Sequence, residues 1–506
     1  MRIKLVFSFV VFFLLVTCVW SQGLADKAWP KMQGASLLNN GRTPYAGPDT
    51  PDEKWRFFTG TAPVTCLNIG PDGTIYVGTY AKFFALNPDG TEKWPAVDVE
   101  NSYDMAISSD GFVYLTTNRD KIYKIDAVLG QKVWTKSYSG YSVRGVYHPT
   151  IAGDGTVIFG VGSTATSYVF ALNPDGTDKW PAGVRPSSGD NFETLPVIDE
   201  ENGFVYMVDH NDYFYKIDLE TGHHTKTEVS GSGYYNNHLA IDENGQLYFA
   251  DFTRIYACDL DMNVLWTQGL DSNCVTAPSI GYDGTLFTGA RGKKQVIALY
   301  PGDGSTKWTF DLESNFNWPA VVDINNTIYV VTQNYLYAVT DAGNEGVLKW
   351  TYDLQGGGYR GPAIGSDGTL YIFSTDGYVR ALGKTVLTAT VDLKPERLNK
   401  KSKGRWCTAY IELPEGYDAD DIDVSTVAVT KIDDTELAQP LFAKLRPTNI
   451  GDYDQDGIPD LMVKFKRRRL IPLVKVGIRT VTITGLLTNG TEFSGSDRIK
   501  VFCKKK

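Results

Sequence analysis

The decapeptide ALNPDGTEKW at Ala85–Trp94 recurs as ALNPDGTDKW at Ala171–Trp180, and only Glu92 and Asp178 distinguish the two copies. Around them a short turn of the Asp-Gly or Asn-Gly type recurs eight times, at intervals of 38 to 48 residues. The eight turns are Asp72-Gly73, Asp110-Gly111, Asp154-Gly155, Asn202-Gly203, Asn244-Gly245, Asp283-Gly284, Asn325-Asn326 and Asp367-Gly368. Self-similarity at this period is typical of a repeat architecture, in which each copy is one supersecondary unit.

Each turn is followed by the same succession of strand-forming segments. A run such as TIYVGT comes first, a second run such as FFALNPDG follows, and six of the units close on a tryptophan. The Asp-Gly pair supplies the positive φ angle that a hairpin turn needs, and alternating Ile, Tyr and Val are typical of half-buried strands. Four short strands in about 42 residues, repeated radially, indicate the blade of a β-propeller. We predict that the tryptophans fill the seams between neighbouring sheets.

The two ends of the repeat region complement each other. The eighth unit stops at Gly383 without its last strand, whereas EKWRFF (Glu53–Phe58) precedes the first unit without its first three strands. Together they make one complete blade, so the N-terminal strand is expected to form the outer strand of the last blade and to close the ring. The sequence therefore predicts an all-β protein with an eight-bladed β-propeller at residues 53–383.

The repeated unit DGTIYVGT…FALNPDGTEKW resembles the repeat of the pyrroloquinoline-quinone (PQQ)-type propellers, and Ile217–Gly222 echoes the A-x-D-x-x-T-G form of that repeat. The resemblance covers residues 50–383. That family contains quinoprotein dehydrogenases and also non-catalytic relatives, such as the propeller lipoprotein of the outer-membrane barrel-assembly machine. A shared fold does not choose between these functions.

The first residues have the pattern of a secretory signal peptide. Arg2 and Lys4 precede a 15-residue apolar run, Leu5–Val19, which is too short for a comfortable membrane span. We expect residues 1–21 to be a signal peptide that is cleaved after Ser21, and residues 22–52 to form an N-terminal segment before the propeller. A lipoprotein cut before Cys18 and an uncleaved anchor are the alternatives.

The composition of the remaining chain indicates an exported protein. No later apolar stretch reaches ~18 residues, so the sequence predicts no transmembrane segment in the mature chain, and an extracellular, periplasmic or cell-surface location. The net charge of −10 argues against general nucleic-acid binding.

The repeat period stops after Gly383. Residues 384–387 are interpreted as a linker, and residues 388–506 as a small β-sandwich of antiparallel strands. The clearest strands are expected at Cys407–Leu413, Val424–Thr430, Leu461–Phe465, Thr480–Leu486 and Arg498–Phe502. This segment resembles a poorly characterised module at the ends of secreted archaeal and bacterial surface proteins, and the resemblance implies no activity.

The sharpest motif of the C-terminal segment is GDYDQDGIPD, Gly451–Asp460. Its oxygen donors have the spacing of a Ca²⁺ loop, in which Gly457 allows the sharp bend. We expect structural Ca²⁺ to be held by the carboxylates and one backbone carbonyl of the following residues: Asp452, Asp454, Asp456, Ile458 (carbonyl) and Asp460. Val463 stands where a helix-loop-helix calcium site has a bidentate Glu, so the spacing fits shorter calcium loops better, and a solvated acidic turn is the alternative.

A basic run, Lys464, Lys466 and Arg467–Arg469, follows the acidic loop at once. A solvated strand end is the simpler interpretation, and contact with an anionic polymer or a lipid surface is the other. Five cysteines lie outside the expected signal peptide. Cys407 and Cys503 are candidates for a disulfide, and the geometry must decide this.

Motifs for catalysis are weak in this sequence. PQQ dehydrogenases use a Ca²⁺ beside the quinone, an aspartate base and a Trp platform, and many carry two adjacent cysteines, which this chain lacks. PQQ is therefore not expected as a cofactor. The chain also lacks G-x-S-x-G, H-E-x-x-H and paired C-x-x-C motifs, so hydrolase and zinc chemistry have no support.

One set of positions at the start of the innermost strands is expected to rim the central channel. These positions lie seven residues before the second residue of the turn, which is usually glycine, and eight residues before it in the fourth and seventh blades. The set is Cys66, Asp104, His148, Leu195, His238, Ala277, Trp318 and Gly361. Arg144 and Arg360 come slightly earlier in their blades. The polar members Asp104, Arg144, His148, His238, Trp318 and Arg360 could bind a small anionic or sugar-like ligand, or could simply line a propeller mouth.

The leading hypothesis is an exported, non-enzymatic PQQ-like propeller that serves as a scaffold for protein–protein or cell-surface interaction and carries a calcium-stabilised β domain. A PQQ-dependent or related small-molecule oxidoreductase is the first alternative. A glycan-binding surface protein is the second. The oligomeric state and the partner are not determined by the sequence.

Overall fold

The computed structural model describes residues 24–25, 29–31, 36–141, 143–163, 167–185, 194–209, 213–228, 239–270, 276–316, 318–358, 360–384, 386–414, 416–433 and 435–503. The expected signal peptide lies outside these residues. The described chain is almost entirely β, and its helices are α1 (Arg467–Leu470) and three single 3₁₀ turns, Ser139–Tyr141, Arg291–Lys293 and Ala419–Asp421. None of these helices is long and apolar enough to cross a bilayer.

The described chain forms two units. Unit 1 extends to Leu382, and unit 2 contains the chain from Gly383 onward together with Asp52–Lys54. Unit 1 contains the N-terminal segment, most of strand β1 (Glu53–Phe58) and a series of small antiparallel sheets. Sheet A contains β2 (Asn68–Ile69), β3 (Ile75–Gly78), β4 (Lys82–Leu86) and β5 (Glu92–Asp98). Sheet B contains β6 (Ser102–Ile107), β7 (Phe112–Thr117), β8 (Lys121–Asp126) and β9 (Lys132–Ser137).

The next three sheets follow in chain order. Sheet C contains β10 (Val143–Ile151), β11 (Val157–Ser163) and β12 (Tyr168–Leu172). Sheet D contains β13 (Val197–Asp199), β14 (Phe204–Val208), β15 (Tyr213–Asp218) and β16 (His224–Glu228). Sheet E contains β17 (Ala240–Ile241), β18 (Leu247–Ala250), β19 (Arg254–Cys258) and β20 (Val264–Gly269).

Three further sheets complete unit 1. Sheet F contains β21 (Ser279–Ile280), β22 (Leu286–Ala290), β23 (Gln295–Leu299) and β24 (Thr306–Asp311). Sheet G contains β25 (Val321–Val322), β26 (Thr327–Val331), β27 (Tyr335–Asp341) and β28 (Gly346–Asp353). Sheet H contains β29 (Ala363–Ile364), β30 (Leu370–Phe373) and β31 (Tyr378–Leu382), and β1 pairs with β31 at its edge, as the sequence predicts.

The Asp-Gly turns between the first and second strands have a common geometry. Gly73 has a φ of +81°, which a residue with a Cβ adopts only under strain. The Asp72 carboxylate accepts a hydrogen bond from the Thr74 backbone N–H at 3.1 Å, and this fixes the turn. The same bond recurs with N···O distances of 2.8 to 3.1 Å at Asp154, Asp283 and Asp367.

The repeat tryptophans lie against glycines of the next sheet, as predicted. A Cβ placed on Gly130 would lie 2.7 Å from the Trp94 ring, so only glycine fits without a shift of the indole. The same arrangement joins Trp55 to Gly90, Trp134 to Gly176, Trp180 to Gly222, Trp266 to Gly304 and Trp308 to Gly346. Hydrophobic clusters of buried side chains join each sheet to the next, and one cluster joins sheet H to sheet A. Unit 1 is thus propeller-like.

Sheet C departs from the predicted four-strand unit. The repeated decapeptide at Glu92–Trp94 begins strand β5, but its copy at Asp178–Trp180 forms only an isolated bridge between Leu172 and Asp178. Gly183 stands where Val97 extends the first copy. Because Gly183 has a φ of +61° and its N–H bonds to the Trp180 carbonyl, the chain turns there instead of continuing as a strand.

Unit 2 has two sheets, and its strands begin with β32 (Val386–Thr388). The four-stranded sheet J has the order β33-β35-β39-β38, and the six-stranded sheet I has the order β32-β41-β40-β36-β37 with β34 also paired to β41. Their bounds are β33 (Thr390–Lys394), β34 (Arg397–Asn399), β35 (Trp406–Glu412), β36 (Ile422–Ile432), β37 (Thr435–Phe442), β38 (Lys444–Gly451), β39 (Asp460–Lys466), β40 (Gly477–Leu487) and β41 (Glu492–Phe502). One hydrophobic cluster draws side chains from both sheets.

The predicted disulfide is not formed in the structure. Cys407 is buried in β35 of sheet J, whereas Cys503 is exposed just after β41 of sheet I, and both are free thiols. Because Cys407 packs inside the hydrophobic cluster of unit 2, its side chain behaves as a small apolar group. Burial raises the pKa of the Cys407 thiol, which keeps it protonated.

Candidate functional site

Two of the predicted rim residues form a buried pair. Asp104 in β6 and His148 in β10 come from neighbouring sheets, and His148 Nδ1 lies 2.9 Å from Asp104 Oδ2. Both side chains are almost fully excluded from solvent. His148 has a φ of +44°, an unusual and strained value for a residue with a Cβ. The two residues therefore fix one another, although nothing in the sequence spacing required the contact.

Arg360 and Trp318 form the other half of the predicted set. The Arg360 guanidinium carbon lies 4.2 Å from the centroid of the Trp318 ring and 5.4 Å from that of Tyr103. Its Nη2 donates to the Val64 carbonyl at 3.3 Å. Arg360 is only 2% exposed, so the cation is sandwiched between aromatic rings rather than projecting into solvent.

Cys66 connects these two groups. Burial raises the pKa of the Cys66 thiol to about 12, the Asp104 carboxylate adds to this increase, and Arg360 opposes it. A thiol with such a high pKa is a poor nucleophile at neutral pH. Cys66 is therefore a packing residue of the site and not a reactive one.

The side chains of two predicted rim residues lie outside the described part of the chain. His238 lies outside the described residues. Arg144 belongs to β10, but its side chain is outside the described part of the chain. The structure thus brings together Asp104, His148, Trp318 and Arg360 and leaves the other two as predictions.

The N-terminal segment before β1 is the main component that sequence reasoning missed. Its backbone bonds to the first strands of six sheets in turn, beside the predicted rim. Backbone carbonyls of Trp29, Pro30, Leu37, Leu38, Asn40 and Gly41 accept from the N–H groups of Ile69, Ile107, Ile198, Ile241, Ile280 and Val322, with N···O distances of 2.8 to 3.3 Å. The segment therefore satisfies the inner edges of sheets A, B, D, E, F and G, which would otherwise be unpaired.

Lys31 is the charged side chain that this segment buries. It has no solvent exposure, and its Nζ donates a hydrogen bond to the Asn39 side-chain carbonyl. Asn39 in turn donates to the Pro196 carbonyl at 3.3 Å, next to the predicted rim position Leu195. Burial lowers the pKa of Lys31 to about 7, and the Asp104 carboxylate partly opposes this decrease. Lys31, Asp104 and His148 therefore form one buried polar cluster at the centre of unit 1.

Two cavities lie near these groups among the described residues. A cavity of about 30 Å³ lies between Trp29 of the N-terminal segment and the predicted rim residues Cys66, Trp318 and Gly361. A cavity of that size has room for one or two water molecules. A larger pocket of about 360 Å³ lies to the side of Trp318 and is lined by Lys294, Ser314, Asn315, Phe316, Thr332, Gln333 and Gly358, among others.

The predicted calcium loop brings its acidic side chains together in unit 2. Carboxylate oxygens of Asp452, Asp454 and Asp460 lie within 4.8 Å of one another. The Asp452 carboxylate accepts from the N–H groups of Asp456 and Gly457, both at 3.1 Å, so the loop curls around it. Gly457 has a φ of +100°, which confirms that the bend needs glycine.

Glu412 is an acidic neighbour that lies outside the loop motif. It ends β35, pairs with Asp460 across sheet J, and its carboxylate lies within 4.8 Å of those of Asp454 and Asp456. Burial raises the pKa of Glu412, and the Asp456 and Asp454 carboxylates add to the increase. Burial likewise raises the pKa of Asp460. The sequence lacks a Glu at the expected loop position, and strand pairing supplies one from 48 residues upstream of Asp460.

The comparisons with known proteins agree on the fold of unit 1. Residues 19–260 match a family model described as outer membrane protein assembly factor BamB, of the PQQ type. BamB from Moraxella catarrhalis superposes with a TM-score of 0.51 and 14% identity, over 66% of this chain and 98% of that one. Unit 1 has a β-propeller fold that is similar to that of these PQQ-type proteins.

Solved dehydrogenases resemble the chain as well. Quinohemoprotein alcohol dehydrogenase from Comamonas testosteroni gives a TM-score of 0.60 at 12% identity, over 71% of this chain and 81% of that one. A europium-containing methanol dehydrogenase gives a TM-score of 0.58 at 13% identity, over 68% and 89% of the two chains. Among curated proteins, none matches this chain. At such identities the likeness establishes the propeller fold and leaves its function open.

The sequence held a faint signal for the N-terminal segment of unit 1 and for Glu412 of unit 2. Trp29 and Lys31 flank Pro30 with the alternation of a strand, but the segment carries no repeat pattern. Its position in the fold can be predicted only when the strands that it pairs with are known. Glu412 lies in the predicted strand Cys407–Leu413, so its alternation with Tyr410 could be read from the sequence, but its partner strand could not.

Proposed function

We propose that this protein is an exported, eight-bladed PQQ-like propeller that acts as a non-enzymatic scaffold for protein partners, joined to a calcium-stabilised β-sandwich. The pairing of β1 with β31 and the hydrophobic cluster that joins sheet H to sheet A support a closed ring of eight blades. The hydrophobic cluster shared by sheets I and J supports a sandwich in unit 2.

One observation carries the scaffold proposal, namely that the N-terminal segment lies along the inner strands of the propeller. The N-terminal segment occupies the inner edges of six sheets, and the cavity beside it is about 30 Å³. Sites for small molecules and cofactors have volumes of about 300 to 1,000 Å³. The cavity between Trp29, Cys66, Trp318 and Gly361 therefore has room for water and not for an organic cofactor.

The same residues fit PQQ poorly. PQQ is a flat tricyclic quinone with three carboxylates, and a site for it needs an open slot and accessible cations. Arg360 is stacked on Trp318 and is only 2% exposed, and Lys31 has no exposure at all. Neither cation is placed to meet a carboxylate that enters from solvent, so no chemical step is assigned to the quinone here.

Protein partners would then bind to the exposed turns and outer strands of the propeller. Val128 and Leu129, in the turn after β8, are 69% and 60% exposed. The outer strands β20 and β28 also carry exposed aliphatic residues, such as Leu265 at 54% and Leu348 at 46%. Apolar side chains on a rigid frame suit a protein interface, and the family match to an assembly factor supports the same class of partner.

Calcium is the metal that the acidic loop of unit 2 fits. The donors are all carboxylate or carbonyl oxygens, which Ca²⁺ prefers, and Glu412 adds a fifth carboxylate to the four loop aspartates. Buried and crowded carboxylates repel one another, and a bound cation would remove that repulsion. Bound Ca²⁺ would therefore tie Asp460 of β39 and Glu412 of β35 to the loop and stabilise sheet J.

A quinone titration tests the proposed scaffold role. Residues 22–506 would be produced in a host without PQQ, supplied with PQQ and Ca²⁺, and followed by near-ultraviolet absorption and dye reduction with alcohols and sugars. We expect neither a bound-quinone spectrum nor turnover. A photo-crosslinker at the exposed position Leu129 should form an adduct with an envelope protein in intact cells, with a crosslinker at the exposed polar position Arg119 as the control. Quinone binding with turnover would contradict the proposal.

A small polar ligand is the second candidate, and the pocket of about 360 Å³ beside Trp318 favours it. Lys294, Asn315, Thr332 and Gln333 offer donors and acceptors there, of the kind that sugars use. Binding of oligosaccharides that is lost on substitution of Gln333→Ala, with the fold unchanged, would support this glycan-binding function. Oxidation of a sugar in the same assay would instead support the oxidoreductase alternative.

A further inference from the structure

A cluster of cations lines a groove at one end of sheet J, in a protein whose net charge is −10. The groove has a volume of about 790 Å³, and we call it the basic groove. Its lining residues are Lys400, Ser402, Lys403, Gly404, Arg405, Trp406, Lys466, Arg468 and Ile471. Five of these nine residues are cationic and none is acidic, so the groove has a strong positive potential.

Four of the five cations of the basic groove are exposed, and none of the five forms an ion pair among the described residues of unit 2. Lys403, Arg405, Lys466 and Arg468 are exposed. The ion pairs of unit 2 among the described residues are formed by other side chains: Lys384–Glu492, Lys394–Asp392, Lys394–Glu396 and Arg479–Asp433. Like charges held close together without a counter-ion repel, and an external anion would relieve that repulsion.

The chain also holds the groove in shape. The Arg467 backbone N–H donates to the Arg405 carbonyl at 3.2 Å, which joins the two walls. Gly404 packs so closely on the Arg467 guanidinium that a Cβ there would lie 2.4 Å from Nη1. On the floor, Trp406 pairs with Lys466 across the strands, and the Arg405 guanidinium lies 5.1 Å from its ring centroid. These contacts fix the backbone of the segments that carry the cations.

Exposed aliphatic side chains lie beside the cations. Ile471 lines the groove, and the loop that it begins continues to Leu473 and Val476, which are 37% and 56% exposed. Lys400 Nζ donates to the Val474 carbonyl at 2.7 Å, so this loop is attached to the groove wall. A soluble polyanion would need the cations only, whereas the surface of an anionic bilayer offers phosphates for the cations and an acyl boundary for the aliphatic groups.

We propose that the basic groove binds the headgroups of anionic phospholipids, and that Leu473 and Val476 enter the interfacial layer beside them. The proposal does not depend on the role of the propeller. It assigns unit 2 a membrane-docking function, in which the phosphate of a lipid headgroup pairs with Lys403, Arg405 and Arg468. Each cation near an anionic bilayer is expected to strengthen binding about fivefold.

Vesicle sedimentation tests the proposal. Residues 22–506 would be mixed, at an ionic strength of about 0.1 M, with vesicles of phosphatidylcholine alone or with about one-third phosphatidylglycerol. We expect binding to the anionic vesicles only. The double variant Lys403→Gln/Arg468→Gln should lower the affinity by about 25-fold. The matched control Arg119→Gln/Lys132→Gln removes the same charge from unit 1, and it should bind like the unaltered protein.

A second variant separates a lipid from a soluble polyanion. Leu473→Ser/Val476→Ser keeps every cation, and we expect it to weaken vesicle binding while the binding of polyphosphate stays unchanged. Equal vesicle binding by this variant and by the unaltered protein would identify a polyanion site and overturn the lipid proposal. Failure to bind anionic vesicles, or equal loss in the control variant, would overturn it as well. Matching thermal unfolding curves would show that each variant is folded.

Discussion

At the scale of single residues, the buried amino group of Lys31 makes the stability of the propeller depend on pH. Burial lowers its pKa to about 7 in the folded protein, whereas an unfolded lysine titrates near pH 10. Between those values the unfolded chain holds the proton and the folded chain does not, so stability rises with pH by up to about 1.4 kcal/mol per unit. Urea unfolding at pH 7 and 9 should show this rise, and Lys31→Met should reduce it. Parallel pH profiles for the two proteins would contradict the assignment.

Glu412 gives a second prediction at this scale. Because its carboxylate is buried beside Asp454 and Asp456, removing its charge should stabilise the calcium-free protein and weaken calcium binding at the same time. We expect Glu412→Gln to lower Ca²⁺ affinity by about tenfold or more and to raise the unfolding temperature in chelator. Calorimetry measures the first effect and thermal unfolding the second. Glu436→Gln, an exposed residue of β37, is the control that should change neither.

At the scale of strands and seams, the repeat allowed most of unit 1 to be predicted. The turn residues and alternating strands recur with each copy, and the structure has strands at the corresponding positions. Sheet C shows that a copy can depart from the repeat: the chain turns at Gly183, where the first copy has Val97, although the two decapeptides before this position are nearly identical. The position of the N-terminal segment and the contact of Glu412 with the acidic loop could not be predicted. Both depend on which strands pair in three dimensions, and the sequence pattern does not contain that information.

Two tryptophans at the seams between sheets allow a prediction that compares equivalent substitutions. Trp308 Nε1 donates to the Asp341 carboxylate at 2.9 Å, whereas Trp180 Nε1 is buried without a hydrogen-bond partner among the described residues. Both indoles pack on a glycine of the next sheet. Trp308→Phe should therefore destabilise the protein by about 1.5 to 3 kcal/mol more than Trp180→Phe, because only the first loses a bond to a charged acceptor. Denaturant unfolding of the two variants compares them directly, and equal losses would show that indole packing dominates.

At the scale of the whole molecule, the two units should unfold separately, because each has its own hydrophobic cluster. The N-terminal segment contributes six of its backbone carbonyls to the inner strands of unit 1, and the acidic loop belongs to unit 2. Deleting residues 22–45 should lower the unfolding temperature of the propeller transition by several degrees and leave the other transition unchanged. Removing calcium from the intact chain should do the reverse. Differential scanning calorimetry with and without chelator gives both results. A single transition that responds equally to both changes would mean that the units fold as one body, and the N-terminal segment would then have no separate role in holding the propeller closed.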